Sequence, residues 1–198
     1  ANALRSFPKE ELLVEVTEAM TTNESMFFRD KTPFDQFTAY ALPRVIAENE
    51  NKGKHLRIWS AACSNGQEPY SLAMLIKEQG AKLAGWNIVI EGTDIDSKVL
   101  EKAREGIYSQ FEVQRGLPIT MLVKYFEQNG TQWQIKKEIR DMVQYRKANL
   151  IEPGGGIGMF DMIFCRNVLI YFDKETKRTV LQRLANMLQP KGILYLGS

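Results

Sequence analysis

Apolar and polar positions alternate in blocks along most of the chain, and these blocks predict a regular succession of strands and helices. From Leu56 onward, apolar runs of strand length are followed by amphipathic runs of helical length. The predicted strands are 56–62, 87–95, 160–168 and 192–198, and the predicted helices are 68–80, 96–106 and 174–192. Such alternation predicts an α/β fold, with a doubly wound, mostly parallel sheet and right-handed crossovers.

Two other regions depart from this rhythm. Before the sheet domain, 49–198, the pattern predicts only helices, over 8–20 and 33–48, which indicates a small N-terminal helical domain, 1–48. Residues 118–148 begin with a helical pattern and continue with short apolar alternation around the turn "QNGT", which indicates a small antiparallel β insertion. Because the last predicted strand belongs inside such a sheet, we expect that C-terminal strands and the start of the helical domain are missing from these 198 residues.

Composition argues against nucleic acid and membranes as partners and against a structural metal site. At 198 residues the chain accommodates one domain with a smaller one attached, and its net charge of +2 gives no footprint for nucleic acid. No apolar run approaches the roughly 18 residues that span a bilayer, and no signal peptide is visible, so we expect a cytoplasmic protein without membrane insertion. Two cysteines, Cys63 and Cys165, and a single histidine, His55, do not make a normal structural zinc site, so no metal is expected.

The stretch "IWSAACSNGQEPYSLAM", residues 58–74, joins the first sheet strand to its helix through very small side chains. Small residues after a strand let a ligand approach the backbone amides, and Gly66 tolerates the left-handed backbone of such a turn. Pro69 suits the first turn of the helix, which puts Glu68 at the positive end of the helix. Glu68 either caps this helix or faces a ligand that carries a cationic group, and the residues leave both open.

A second acid, Asp94, lies near the end of the predicted strand 87–95, 26 residues after Glu68. In doubly wound sheets an acid at that point accepts hydrogen bonds from ribose hydroxyls, whereas Asp96 is expected to cap the next helix. The chain lacks both the G-x-G-x-x-G fingerprint and the phosphate loop, which excludes a nicotinamide oxidoreductase. Since no basic cluster lies near Gly66, a nucleoside without phosphates and with an amino-acid tail fits best, and S-adenosylmethionine is such a molecule.

Four longer segments together resemble one protein family. They are "TTNESMFFRD" (21–30), "IWSAACSNGQEPYSLAM" (58–74), "GTDIDSKVLEKAREGIY" (92–108) and "FDMIFCRNVLIYFDKET" (160–176). In order and in spacing they resemble the chemotaxis receptor methyltransferases known as CheR. The resemblance implies transfer of a methyl group from S-adenosylmethionine to glutamate side chains of bacterial chemoreceptors, which gives glutamyl methyl esters and S-adenosylhomocysteine.

The resemblance also implies which residues contact the cofactor. Carried over motif by motif, they are Asn23, Ser25, Arg29, Glu68, Asp94, Asn149, Leu150, Asn167 and Val168. Ser25 stands where the family often has Thr, and "SNGQEP" stands where "STGEEP" is common, so the hydroxyl and Glu68 are both retained. Asn149 precedes the segment expected to lie over the adenine, to which an amide offers a donor and an acceptor.

Arg29 is the residue expected to orient the reactants. A carboxylate acceptor is already ionised at neutral pH, so no general base is needed, and a guanidinium binds carboxylates bidentately. The alternative is a surface ion pair of Arg29 with Asp30 or Glu24. For Arg166, guiding an acidic substrate and closing a strand end both stay open. Core packing is expected for the aromatic side chains nearby, which are Phe27, Phe28, Tyr171 and Phe172.

The partner that the resemblance implies is the cytoplasmic domain of a chemoreceptor, and we expect the enzyme to be a monomer. In some family members the small β insertion binds a pentapeptide tether at the receptor's C-terminus as an edge strand. The hairpin between Tyr125–Phe126 and Lys136 is a few residues shorter here, so we expect no use of the tether. Two alternatives are a catalytically silent S-adenosylmethionine-sensing or partner-binding module and, on fold alone, a nucleic-acid methyltransferase, which the near-neutral charge disfavours.

Overall fold

The structure is a computed structural model that describes residues 24–152 and 158–197. The helix predicted over 8–20 and the candidate site residue Asn23 lie outside the described residues. The described strands are β1 His55–Ala61, β2 Asn87–Asp94, β3 Ile107–Ser109, β4 Phe126–Asn129, β5 Gln132–Ile135, β6 Val143–Lys147, β7 Phe160–Cys165 and β8 Leu188–Leu196. The described α-helices are α1 Thr32–Gln36, α2 Leu42–Asn49, α3 Gln67–Lys77, α4 Ser97–Glu105, α5 Gln110–Gln114, α6 Ile119–Tyr125, α7 Lys137–Arg140 and α8 Lys174–Asn186.

Five strands form a parallel sheet in the order β6-β2-β1-β7-β8. The chain runs outward from β1 to β2 and β6, then returns to the other side of β1 for β7 and β8. The direction of winding therefore reverses between β1 and β7, and in sheets of this kind ligands bind beside that reversal, at the carboxyl ends of the strands. The predicted doubly wound parallel sheet is confirmed.

Both faces of the sheet are covered. The interior strand β7 has all six residues buried, as expected of a parallel strand between two layers of helices. One core cluster, which includes Leu56, Ile58 and Phe164, contains most of the buried side chains, and a smaller one around Trp59 and Val180 packs on the opposite face. Alternate residues along β1 thus serve the two cores.

The helix predicted over 33–48 is confirmed as a continuous helical segment with an irregular centre. Helices α1 and α2 are joined by a π-helical turn, Phe37–Ala41, directly before Pro43. Because proline lacks the N–H that an α-helix would bond, a wider turn before Pro43 accommodates the ring without ending the helix. Phe34, Phe37 and Val45 remain aligned and buried against the sheet.

The predicted antiparallel insertion is present as a three-stranded sheet in the order β3-β5-β4. Strands β4 and β5 form the expected hairpin, and Gly130 adopts the left-handed backbone of its turn, with φ 60°. The strands of this small sheet do not coincide with the predicted range 118–148 at either of its ends. Strand β3 comes from before that range, while β6, near its end, belongs to the main sheet.

Several helices and strands begin or end at other residues than predicted. Helix α3 ends at Lys77 instead of Gly80, which begins a 3₁₀ turn, Gly80–Leu83. The last strand starts at Leu188 instead of residue 192, and among the described strands it lies at one edge of the main sheet. None of the helices in the two described ranges is both long and apolar enough to cross a bilayer.

Candidate functional site

A cleft of about 600 Å³ opens at the carboxyl ends of β1, β2 and β7, beside the point where the sheet reverses its winding. The sheet places there the loops that follow these three strands, and the segment around Ser25 closes one side. Every described residue predicted for the site lines this cleft: Ser25, Arg29, Glu68, Asp94, Asn149, Leu150, Asn167 and Val168. The topology therefore brings together side chains that are up to 143 positions apart in the sequence.

The loop between β1 and α3 exposes backbone to the cleft through its small residues. Ala62 and Ser64 both adopt the left-handed conformation, with φ of 57° and 50°, which costs free energy for residues other than glycine. Gly66 adopts the predicted left-handed backbone, with φ 88°, and it has a second role in packing. A Cβ on Gly66 would lie 2.6 Å from the Tyr145 hydroxyl, so this glycine lets the loop pack against the protein interior.

Asp94 holds the same loop in place. Its carboxylate accepts hydrogen bonds from the backbone N–H groups of Ser64 at 2.9 Å and Asp96 at 3.0 Å, one on each oxygen. Burial raises the pKa of Asp94, and the backbone hydrogen bonds oppose that shift. Each oxygen keeps a lone pair, so the carboxylate can accept from two ligand hydroxyls while it supports the loop. Asp96 caps α4 through the Lys98 N–H at 2.8 Å, as predicted.

Glu68 lies at the start of α3 with 14% of its side chain exposed, and it does not cap the helix. The helix start has no side-chain capping hydrogen bond, and both Glu68 oxygens point to other partners. Ser60 donates to Oε1 at 2.7 Å, and the Arg166 guanidinium donates to Oε2 at 2.8 Å. Burial raises the pKa of Glu68 above its ordinary value, while Arg166 and Ser60 act in the opposite direction.

Arg166 is the functional candidate that the sequence left undecided. It directly follows the buried strand β7, and its side chain is only 2% exposed. Besides Glu68, the guanidinium contacts the Arg29 carbonyl at 2.8 Å and the Asp30 carboxylate at 2.7 Å. It also lies 5.5 Å from the centre of the Phe34 ring. The sequence signal for a functional Arg166 was its position directly after a strand of mostly apolar residues, because a buried guanidinium requires acidic partners.

Arg29 enters the cleft with its guanidinium available. Its one hydrogen bond in the described structure is to the Glu24 backbone carbonyl, at 3.0 Å. The two acids proposed as surface partners are engaged elsewhere, because Glu24 pairs with Arg115 at 3.0 Å and Asp30 pairs with Arg166. The predicted alternative, a surface ion pair of Arg29 with either acid, is therefore wrong.

Two polar turns form the remaining walls. The Asn149 amide oxygen accepts from the Ile151 N–H at 3.0 Å, and its nitrogen donates to Glu152 at 3.1 Å. One amide hydrogen and one oxygen lone pair of Asn149 remain for a ligand. Asn167, two residues after the end of β7, adopts a left-handed backbone, φ 57°, which turns the chain along the cleft.

The aromatic residues near the cleft divide into two groups. Phe27 and Phe28 are core residues as predicted, with exposures of 0% and 9%. Phe172 packs against the smaller core cluster, but Tyr171 is 59% exposed at the cleft mouth, so its predicted core position is wrong. It follows a 3₁₀ pattern, Leu169–Tyr171, in which successive side chains point in different directions.

Two buried thiols lie near these charges. Burial and the neighbouring acids raise the pKa of Cys63 well above its ordinary value and that of Cys165 to about 12. Both are therefore neutral thiols at physiological pH, and neither is an activated nucleophile.

The family model described as "CheR methyltransferase, SAM binding domain" matches residues 23–198. The chain belongs to the CheR methyltransferase family. It is 46% identical to chemotaxis protein methyltransferase 1 of Pseudomonas aeruginosa over 189 residues, which covers 92% of this chain and 68% of that protein. It is 40% identical to chemotaxis protein methyltransferase Cher2 of Pseudomonas putida, covering 98% of this chain and 72% of that protein. The corresponding enzyme of Vibrio anguillarum is 42% identical, over 95% of this chain and 68% of that protein.

Likeness to solved structures is more distant. The glycopeptide N-methyltransferase MtfA complexed with sinefungin matches with a TM-score of 0.47 and 13% identity, over 80% of this chain and 48% of that chain. No inference is drawn from that match.

The cleft of this CheR methyltransferase fits S-adenosylmethionine by its chemistry as well as by family. Two acids, the buried Asp94 and the largely buried Glu68, face it at the end of the sheet, where a sugar and a cationic amino group need acceptors. Leu150 and Val168 supply apolar wall. Burial raises the pKa of both acids, so a bound cation and hydroxyl donors would stabilise their ionised forms.

Proposed function

We propose that this CheR methyltransferase methylates glutamate side chains in the cytoplasmic domains of bacterial chemoreceptors, as a monomeric cytoplasmic enzyme. The name of its relatives, chemotaxis protein methyltransferase, supports a role in chemotaxis. The single observation that carries the acceptor class is Arg29, whose guanidinium faces the cleft with no carboxylate of residues 24–152 and 158–197 at ion-pair distance, although its charge is felt by Glu68. A guanidinium with hydrogen-bond donors available beside a methyl-donor site suits an anionic acceptor.

The proposed division of the cofactor contacts follows the geometry of the cleft. Asp94 accepts from the ribose hydroxyls, and Glu68 faces the amino group of the methionine tail. Asn149 and Leu150 lie along the adenine, and Arg29 interacts with a carboxylate. The remaining proposed contacts are Asn23, Ser25, Asn167 and Val168, of which the last three line the cleft.

Catalysis in this proposal depends on position and charge, without proton transfer. The bound cofactor supplies a methyl group activated by its sulfonium charge. A glutamate acceptor is ionised at neutral pH, so the protein needs no base, and both cleft-side thiols are neutral. Arg29 orients the acceptor carboxylate, and the walls of the cleft exclude water from it.

A methyl-transfer assay tests the proposed function. The protein, with methyl-labelled S-adenosylmethionine, is mixed with receptor-rich bacterial membranes, and we expect label in receptor bands that is released as methanol by base. A catalytically silent module would bind the cofactor in calorimetry without producing base-labile label. Label that resists base would point to an acceptor other than a carboxylate and would contradict the proposal.

The first prediction concerns Arg29. Arg29→Ala removes the orienting guanidinium, so kcat should fall about 100-fold, a typical loss when a reacting group is misplaced by about 1 Å. The cofactor Kd should change much less if Arg29 acts mainly on the acceptor. The matched control is Arg44→Ala, because Arg44 is exposed and contacts Lys191 at the opposite edge of the sheet. A kcat for Arg29→Ala within twofold of the parent would exclude the role.

A further inference from the structure

One guanidinium joins two parts of the cleft that have different functions. Nη1 of Arg166 donates to Glu68 at 2.8 Å, on the side proposed for the cofactor. Nη2 donates to the Asp30 carboxylate at 2.7 Å and to the Arg29 carbonyl at 2.8 Å, on the side proposed for the acceptor. With 2% of its side chain exposed, Arg166 makes these contacts away from competing water.

The segment that carries Arg29 has few other means of holding its conformation. Residues 24–31 form no strand and no α-helix. Phe28, Asp30 and Lys31 adopt left-handed backbone conformations, with φ of 52°, 66° and 45°. Such conformations are costly for these residues and persist only where surrounding contacts determine them. Beyond core packing of its two phenylalanines, the segment is bonded to the sheet domain by Phe28 N–H to Ser71 at 3.1 Å, by an exposed ion pair of Glu24 with Arg115 at 3.0 Å, and by Arg166. Of these, only the Arg166 contacts lie on the side of the segment that faces Glu68.

We propose that Arg166 is a positioning residue, a clamp that fixes the Arg29 segment against Glu68 and so sets the distance between acceptor and cofactor. The proposal rests on the proposed function, because the acceptor role of Arg29 belongs to it. Lysine cannot replace the clamp. Its single ammonium is compact, whereas the planar guanidinium reaches two acids and a carbonyl with separate nitrogens.

The contact of Arg166 with Asp30 and its contact with Glu68 can be tested one at a time by mutation. Asp30 does not line the cleft and is half-exposed, so Asp30→Asn keeps the side-chain shape and removes only the charge on the acceptor side. Glu68 retains its bond to Arg166 in this variant. If Arg166 positions Arg29, Asp30→Asn should lower kcat while the affinity for cofactor is unchanged.

The experiment compares the parent with Asp30→Asn, Arg166→Lys, the double variant and the control Arg57→Lys. Arg57 lies near the amino-terminal end of β1, away from the cleft, and contacts Met159 and Phe160. Three quantities are measured for each: kcat on receptor-rich membranes, Kd for S-adenosylhomocysteine by calorimetry, and amide hydrogen exchange of residues 24–31. Hydrogen exchange and calorimetry need no turnover.

We expect kcat to fall roughly 10-fold in Asp30→Asn and about 100-fold in Arg166→Lys, by misplacement of the reacting group. Exchange in residues 24–31 should quicken in both variants and stay unchanged in Arg57→Lys, and the double variant should be no worse than Arg166→Lys. The proposal is overturned if Asp30→Asn and Arg166→Lys retain parental kcat and exchange, or if the control changes equally. Failure of the parent itself to label receptors would refute the proposed function instead, while the exchange result would still test the clamp.

Discussion

Asp94 and Glu68 illustrate how single residues in this cleft combine structural and binding duties. Asp94 is buried and Glu68 is largely buried. Each carboxylate is bonded to the protein through both oxygens, and each has a pKa raised chiefly by desolvation. Asp94 supports a loop with two strained residues, and Glu68 anchors Arg166. A substitution at either position therefore affects both the empty protein and its ligand affinity, and controls must separate the two effects.

Asp94→Asn is predicted to weaken cofactor binding about 10- to 100-fold, because a hydrogen bond to a charged group contributes about 1.5–3 kcal/mol. Calorimetric titration with S-adenosylhomocysteine measures the change. Asp161→Asn is the matched control, since Asp161 is equally buried and accepts from Asn49 and Arg57 at 2.9 and 2.8 Å, but outside the cleft. It should lower the melting temperature and leave Kd alone. Equal Kd values for both variants would contradict a sugar-binding role of Asp94.

The raised pKa values of Asp94 and Glu68 predict a pH dependence of cofactor affinity. As pH falls, each acid takes up a proton at a pH above the ordinary value for its own type of side chain, and neutral carboxyls are poor acceptors for a cationic ligand. Affinity should therefore be constant near pH 7 and decline on acidification before ordinary surface carboxyls titrate. Calorimetry across this range measures it, and an affinity that stays constant down to the ordinary carboxyl value would contradict it.

The raised pKa values of Asp94 and Glu68 also affect the stability of the protein without cofactor, and this effect runs opposite to their effect on cofactor affinity. In the protein without cofactor, the folded state binds protons at these two carboxyls more tightly than the unfolded state does. Their contribution to the free energy of unfolding is therefore present below the unfolded pKa and is lost as pH rises through the folded pKa. Bound cofactor offsets that loss at neutral pH.

At the scale of elements, the loop between β1 and α3 positions most of the cleft. The loop reverses direction through left-handed residues, and the tyrosine behind it decides how close it lies to α4. Tyr145, on β6, packs edge-to-face on Tyr70 of α3, with ring centres 5.8 Å apart. Its hydroxyl occupies the space that a side chain at position 66 would need. The loop conformation is therefore determined by contacts with a strand that follows it by about 80 positions.

Gly66→Ala is predicted to destabilise the fold by about 2–4 kcal/mol, combining about 1–2 for the left-handed backbone with overpacking against Tyr145. Gly130→Ala is the matched control, because Gly130 has φ 60° and nothing within 4 Å of an added Cβ, so only the backbone cost applies. Urea unfolding measures both. Adding Tyr145→Phe to Gly66→Ala should recover part of the loss, and a loss no larger than that of Gly130→Ala would show that packing is not limiting.

At the scale of the whole molecule, the main sheet and the small sheet present different surfaces. The main sheet carries the cleft, whereas the small sheet presents the edge strands β3 and β4, of three and four residues. An added peptide strand gains affinity from main-chain hydrogen bonds in proportion to the edge it can pair with. A short edge therefore offers little to a receptor tether.

We predict that a receptor-type C-terminal pentapeptide does not bind this protein. The β4–β5 hairpin has four residues per strand, and its loop consists of Gly130 and one further residue. Calorimetric titration with the pentapeptide should give no saturable heat, while S-adenosylhomocysteine in the same protein sample confirms that the protein is competent. Saturable binding of the peptide would contradict the prediction.

Local patterning carried much of the information about this protein. The order of strands and helices, the cap at Asp96 and the hairpin around Gly130 follow from short-range periodicity and turn chemistry, and the parallel sheet follows from their alternation. That topology is enough to bring Glu68 and Asp94 to one edge, because the carboxyl ends of neighbouring parallel strands coincide.

The partners of individual side chains were decided only by tertiary structure. The Arg166 pairing with Asp30 spans 136 positions, and the closeness of Gly66 to Tyr145 spans 79, so neither leaves a local pattern. Tyr171 is apolar enough for a core, yet a 3₁₀ turn leaves it 59% exposed. Periodicity reports which face of an element is apolar, but burial and charge pairing depend on which distant elements meet, and packing of the complete chain decides that.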